Sequence, residues 1–212
     1  MLNAMQDILK ESSMFLNENN TANGKRQQEL EYSYMAHLTD MKQLDKADSV
    51  EEYEQWILMT DDTTRGGSIR VRAVNGSKYI LTMKNHLKSV KGAHNAHETE
   101  MEVTKDMFDT FKQLATFGSR KKRYVFNVPK EKYYWEVDVY LNKDGKNSEW
   151  VKLDLEVPKS VKEIPAFPMN FDRVIDSLNK TEDDKKFLHN LFKDDKNTLV
   201  NRDNILPVRE KS

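Results

Sequence analysis

Cysteine is absent from the 212 residues, which excludes disulfides, thiolate metal sites and a cysteine nucleophile and fits a reducing compartment. Glycine (7) and proline (5) are too scarce for a low-complexity chain. No apolar run approaches the roughly 18 residues of a membrane span. Residues 1–15 carry Asp7 and Glu11 and lack the basic start and apolar middle of a signal peptide. Charge of one sign is also missing: 34 Lys+Arg against 35 Asp+Glu leave a net −1, no field to draw in DNA or an anionic membrane. There is no P-loop, dinucleotide fingerprint or nucleophile elbow. These absences point to a soluble, cytoplasmic protein with one main domain.

What is present falls into three stretches. In 1–28, Leu2, Met5, Leu9 and Leu16 predict a short amphipathic helix, and the polar run from Asn17 to Gln28 reads as a linker. Across 29–158, period-two alternation recurs in 29–36, 54–60, 68–74, 78–84, 97–103, 121–126, 134–141 and 150–157. Asn75-Gly76 is the strongest hairpin signal, with further turns at Arg65-Gly66-Gly67 and Asp144-Gly145. Ser49 with Glu52 reads as a capping box for a short helix. Thr104 caps a helix carrying Phe108, Phe111 and Leu114 on one face. In 159–212, beyond Pro158, Asn170 leads a helix with Phe171, Val174, Ile175 and Leu178. Thr181 caps another with Phe187, Leu188, Leu191 and Phe192, and the tail from Thr198 is loose.

The strands are unusual in their second face. Nearly every one sets apolar residues against charges of one sign: Glu29 and Glu31, then Arg70 and Arg72, Lys78 and Lys84, Glu98, Glu100 and Glu102, Lys121 and Arg123, Glu136 and Asp138. Only the last, with Lys152, Asp154 and Glu156, mixes signs. Two arrangements accommodate this. One is an open sheet with a solvated charged face. The other is a barrel with the charges inside and the apolar face outward beneath the helices, its interior satisfied by pairing, water or a bound ion or ligand.

The same residues, in order, resemble the CYTH superfamily, the triphosphate tunnel metalloenzymes. Its opening Glu-x-Glu-x-Lys motif matches Glu29-Leu-Glu31-Tyr-Ser33, and its Arg-x-Arg strand matches Arg70-Val-Arg72. Leu81-Thr-Met-Lys84, Glu100-Met-Glu102, Lys121-Lys-Arg123-Tyr124, Trp135-Glu136-Val-Asp138 and Asp154-Leu-Glu156 follow in family order, so the resemblance spans about 29–157. It implies an α+β fold: an eight-stranded antiparallel closed β-barrel, or tunnel, with helices packed outside. One departure bears on chemistry, because Ser33 stands where the motif has a substrate-handling lysine. Another is the stretch from Pro158 to Asn170, unlike the family's usual ending.

The resemblance implies a site for a triphosphate-containing small molecule or nucleotide. Arg70, Arg72, Lys84, Lys121 and Arg123 would clamp phosphate oxygens. Glu29, Glu31 and Glu156, then Asp138 and Asp154, would hold Mg²⁺ or Mn²⁺. Glu100, Glu102 or Glu136 would orient water or hold the arginines, and Glu29, Glu31, Glu100 and Glu136 form the candidate catalytic set. Hydrolysis of tripolyphosphate or a nucleoside triphosphate is the leading expectation. A non-catalytic tunnel that binds a phosphorylated nucleotide, an adenylyl cyclase and a charged scaffold are the competing ones. An RNA 5′ end is the weakest substrate reading, because alternation splits Ser119-Arg-Lys-Lys-Arg123 between two faces. Lys78 and Lys152 read as strand-end groups, His94 and His97 as solvated loop residues, and Trp56, Trp135 and Trp150 as packing residues.

Overall fold

A single chain of antiparallel pairings turns the alternating segments into a ring. The structure, a computed structural model, describes residues 25–61, 67–115, 117–142, 144–157, 161–193 and 200–201. Its main strands are β1 (Lys25–His37), β2 (Ser49–Asp61), β3 (Gly67–Val74), β4 (Lys78–Val90), β5 (Ala93–Glu102), β6 (Phe117–Asn127), β7 (Tyr134–Leu141) and β8 (Asn147–Val157). They pair in the order β6-β2-β3-β4-β5-β1-β8-β7, and β7 returns to β6, so the eight strands close. Closure leaves no free edge among them and encloses one face of every strand. The hairpin turn at Asn75-Gly76 forms with both residues at positive φ, 50° and 66°, where glycine has no steric penalty. Gly145, at φ 76°, turns β7 into β8.

The enclosed face is the charged one, so the apolar core lies outside the barrel wall. Trp56, Leu58, Val71, Ala73 and Val103 are buried beneath helix α1 (Lys105–Leu114) against its Phe108. Thr104 caps that helix by accepting from the Met107 amide at 3.2 Å. Tyr32, Tyr34, Trp135, Val137, Val139, Val151, Leu153 and Leu155 are covered by Leu44 and by partly buried Val161, Met169 and Phe171. A third cluster joins Trp150, Ile175 and Leu188, the last from helix α2 (Glu182–Lys193). Thr181 begins α2 by accepting from the Asp184 amide at 3.1 Å and donating to the Asp184 carboxylate at 2.7 Å. The three tryptophans are packing residues. Gly118 is required by one of them: a Cβ there would fall 2.6 Å from the Trp56 ring. No helix among the described residues is long and apolar enough to cross a membrane.

Three local expectations are corrected. Ser49 opens β2 rather than capping a helix: it pairs with Val125 of β6, and a helix here would give up that cross-strand register. The short helix lies earlier, a 3₁₀ segment at Met41–Lys46 capped by Asp40. The helix expected after Asn170 is instead strand β9 (Arg173–Asp176), which pairs with Tyr34–His37 of β1, beyond the Lys25–Glu31 span that β5 pairs. Its β-branched Val174 and Ile175 suit that role. Lys25 to Gln28, read as linker, belong to β1. The helix over 1–16, the turn residues Arg65 and Gly66, and all of the tail except 200–201, a short strand β10 on β6, lie outside the described residues.

Candidate functional site

Inside the ring, side chains from all eight strands surround one cavity of about 370 Å³. β3 contributes Arg70 and Arg72, β4 contributes Lys84, and β6 contributes Lys121 and Arg123. Facing them are Glu29 and Glu31 of β1, Glu98 and Glu100 of β5, Glu136 of β7, and Asp154 and Glu156 of β8. Thus every expected site residue except Asp138 and Glu102 lines one space; Asp138 lies just behind it, and Glu102 is not part of the lining. Lys78 stands exposed at the rim, as expected, and Glu102 is exposed. Lys152 is a correction: it sits mid-strand and lines the cavity, because its register opposite Asp138 turns it inward. His94 is another. It is half-buried in β5, with its Nε2 2.6 Å from the Ser177 Oγ beside β1, and His97 is half-buried in the same strand.

The two charge signs interlock across strands. The Arg72 guanidinium meets Glu100 and donates to Thr82 at 3.2 Å, while Arg70 lies 3.5 Å from Glu98. The Lys84 ammonium lies 3.2 Å from Glu29, 3.4 Å from Glu98 and 3.5 Å from Glu31. Asp138, fully buried, accepts two 2.8 Å bonds from Arg123 and a third from Lys121. Arg123 also reaches Glu136 at 2.6 Å. With its oxygens taken, Asp138 is a counter-ion that aims the two cations.

Interlocking is incomplete. Eight carboxylates and seven cations line the cavity. Burial and the nearby Glu98 push Glu29 up to about 7, despite Lys84. Burial and Glu98 also raise Glu156, and burial raises Glu136 to about 7 against the pull of Arg123. Elsewhere the cations win. Burial opposes ionisation of Glu31, but Lys152 and Lys84 hold it at about 2, and Lys121 and Arg123 hold Asp138 far below its ordinary range. On the other wall, the buried Nε of Arg70, the buried Nε of Arg72 and the Gln55 Oε1 have no partner among the described residues.

Sequence reasoning missed part of β2. Glu51, Tyr53 and Gln55 point inward, and the Tyr53 ring lies 5.5 Å from the Arg72 guanidinium carbon and 5.3 Å from both the Lys121 ammonium and the Arg123 guanidinium carbon. These distances allow cation–π attraction that gathers the three heads. No alternation announced it, because Glu51, Tyr53 and Gln55 on one face and Glu52, Glu54 and Trp56 on the other each mix acids with an aromatic.

Among the described residues, no three acidic or histidine side chains are already gathered as metal ligands. Lys84 stands between Glu29, Glu31 and Glu98, and Lys152 lies against Glu31 and Asp154. Glu29 and Glu156 nevertheless suit a hard divalent cation, since a metal would neutralise crowded, buried oxygens of raised proton affinity, and Glu31 beside them is already ionised.

The family model for the CYTH domain matches residues 27–167. No match was found among curated proteins. Among solved structures, the hypothetical protein NE1496 aligns with a TM-score of 0.42 at 16% identity, over 70% of this chain and 90% of its own. HpAC1 from Hippeastrum, described as a proposed adenylyl cyclase with a dominant triphosphatase activity, aligns with a TM-score of 0.47 at 13% identity, over 79% of this chain and 87% of its own.

Proposed function

Because this chain belongs to the CYTH family, we propose that its tunnel hydrolyses a linear triphosphate, inorganic or nucleoside, with Mg²⁺ or Mn²⁺ as cofactor. The observation that carries the reading is the unpartnered polar wall. Arg70 and Arg72 line the cavity beside Gln55 and each retain a buried N–H with no partner among the described residues, while the opposite wall has carboxylates in excess. A triphosphate carries four or more negative charges into a space already one carboxylate in excess, so added cations are a condition of binding.

Binding is then an exchange of partners. Lys84 turns from carboxylates to phosphate oxygens, while Arg70, Arg72, Lys121 and Arg123 reach phosphate with the donors that their counter-ions leave open. Release of Lys84 frees Glu29 and Glu31 which, with Glu156, would hold the metal. When bound, the metal supplies charge neutralisation at the phosphoryl group and acidifies water. Glu100 and Asp138 keep Arg72 and Arg123 in place. Glu136, poised near 7, would take a proton from the water that attacks the terminal phosphorus as the bridging P–O bond breaks, giving phosphate and diphosphate from tripolyphosphate, or phosphate and a nucleoside diphosphate.

Ser33 favours a second reading, a tunnel that binds without turnover. Phosphate release from tripolyphosphate, ATP, GTP and thiamine triphosphate, with and without Mn²⁺, separates the two. Release by the wild type and loss in the Glu29→Gln/Glu31→Gln double variant is the expected result. Binding without product supports the second reading, and diphosphate with cyclic AMP from ATP supports a cyclase. Activity that survives the double variant overturns the metal assignment.

A further inference from the structure

The ring has a cation that the strand-by-strand alignment does not assign. Position 33 on β1, where the family motif carries lysine, is a buried serine whose Oγ donates to Asp154 at 2.7 Å. The same Asp154 accepts from the Lys152 ammonium at 2.7 Å through its other oxygen, and Lys152 also lies 3.5 Å from Glu31. Register explains the meeting: β1 pairs Ser33 with Asp154 and Met35 with Lys152, so the ammonium comes from the adjoining strand to the same carboxylate that Ser33 binds. A lysine at 33 would project towards the same two carboxylates. The small serine leaves them room for an ammonium from β8.

We propose that Lys152 is the phosphate-contacting cation of this part of the bore, supplying from β8 the charge that a lysine at position 33 would supply from β1, with Ser33 and Asp154 as its positioning residues. The inference rests on the triphosphate reading above. It accounts for a tunnel that departs from the motif at its opening strand yet still has seven cations lining its cavity. Ser33 is then no sign of lost binding, because the charge has moved across one strand pairing.

Relocation of charge makes the test specific. Binding of the bis(methylene) analogue of tripolyphosphate with Mg²⁺, which cannot be hydrolysed, is followed by calorimetry and by melting temperature. Lys152→Met leaves each carboxylate one donor, Ser33 for Asp154 and Lys84 for Glu31. It should weaken binding by about tenfold or more, the loss expected for one charge-assisted contact. Lys152→Gln, which keeps hydrogen-bonding capacity without charge, should lose as much and decides the matter if the methionine variant does not fold. Ser33→Lys added to either variant should restore affinity to within about threefold. Undiminished binding by the single variants overturns the inference and leaves the triphosphate reading standing. A loss that Ser33→Lys does not restore also overturns it. No binding by the wild type removes both.

Discussion

Replacing Glu29 by glutamine should stabilise the metal-free protein at pH 8, although it removes one partner of a 3.2 Å ion pair with Lys84. Burial and Glu98 hold the Glu29 carboxyl at about 7 in the folded chain, against an ordinary 4.5. The folded state therefore binds this proton more tightly than the unfolded state. Its contribution to stability is fully present below about pH 4.5 and is lost as the pH rises through about 7. A shift of that size corresponds to a ceiling of about 3 kcal/mol. The pull of Lys84 is already contained in that shift, and solvent screening at a partly open bore takes back about 1 kcal/mol. The remainder, about 2 kcal/mol, raises the melting temperature by roughly 5 °C in a chain of this size. Melting curves from pH 4.5 to 8.5 in EDTA should begin together, diverge up to about pH 7 and then run parallel. Mn²⁺ should raise the melting temperature of the wild type and leave the variant unmoved. A variant less stable than the wild type at pH 8 in EDTA would refute the reasoning, since Glu29 would then be an ordinary stabilising partner of Lys84.

Asp138→Asn leaves Lys121 and Arg123 buried without their shared counter-ion and should cost about 3–5 kcal/mol in urea unfolding. Tripolyphosphate with Mg²⁺ should recover part of that loss, and a cost below about 1 kcal/mol would mean that Asp138 does not neutralise the pair. Gly118→Ala forces a methyl to within 2.6 Å of the Trp56 ring and should lower stability by about 1–3 kcal/mol, read as a fall in melting temperature. An unchanged melting temperature would mean that β6 and the indole separate freely.

Much of the barrel was legible because alternation is local. Arg70 and Arg72, or Glu29 and Glu31, declare a shared face within three residues, and each was found on the wall where its strand's parity put it. Which face is interior is a different kind of fact. It depends on β7 returning to β6 and on β1 bridging β5 and β8, pairings between segments far apart in the chain that no window of sequence contains. The local errors share a cause. Ser49 with Glu52 has the letters of a capping box, but Val125 across the sheet competes for the same backbone and prevails. Arg173–Asp176 is too short to show a period and takes its conformation from β1.

Lys152 shows why charge must be assigned to the ring and not to a strand. On β8 it is one cation among acids, which reads as the end of a strand, yet its two carboxylate neighbours arrive from different strands, Glu31 on β1 and Asp154 on its own. Closure turns each strand's single-sign face into half of a pair. What remains unpaired after closure among the described residues, an excess carboxylate on one side and guanidinium N–H groups on the other, is therefore a property of the barrel alone. That residue of incomplete pairing is what can accept a metal and a polyanion together: the metal neutralises the excess carboxylate, and the polyanion then meets the guanidinium groups without net repulsion.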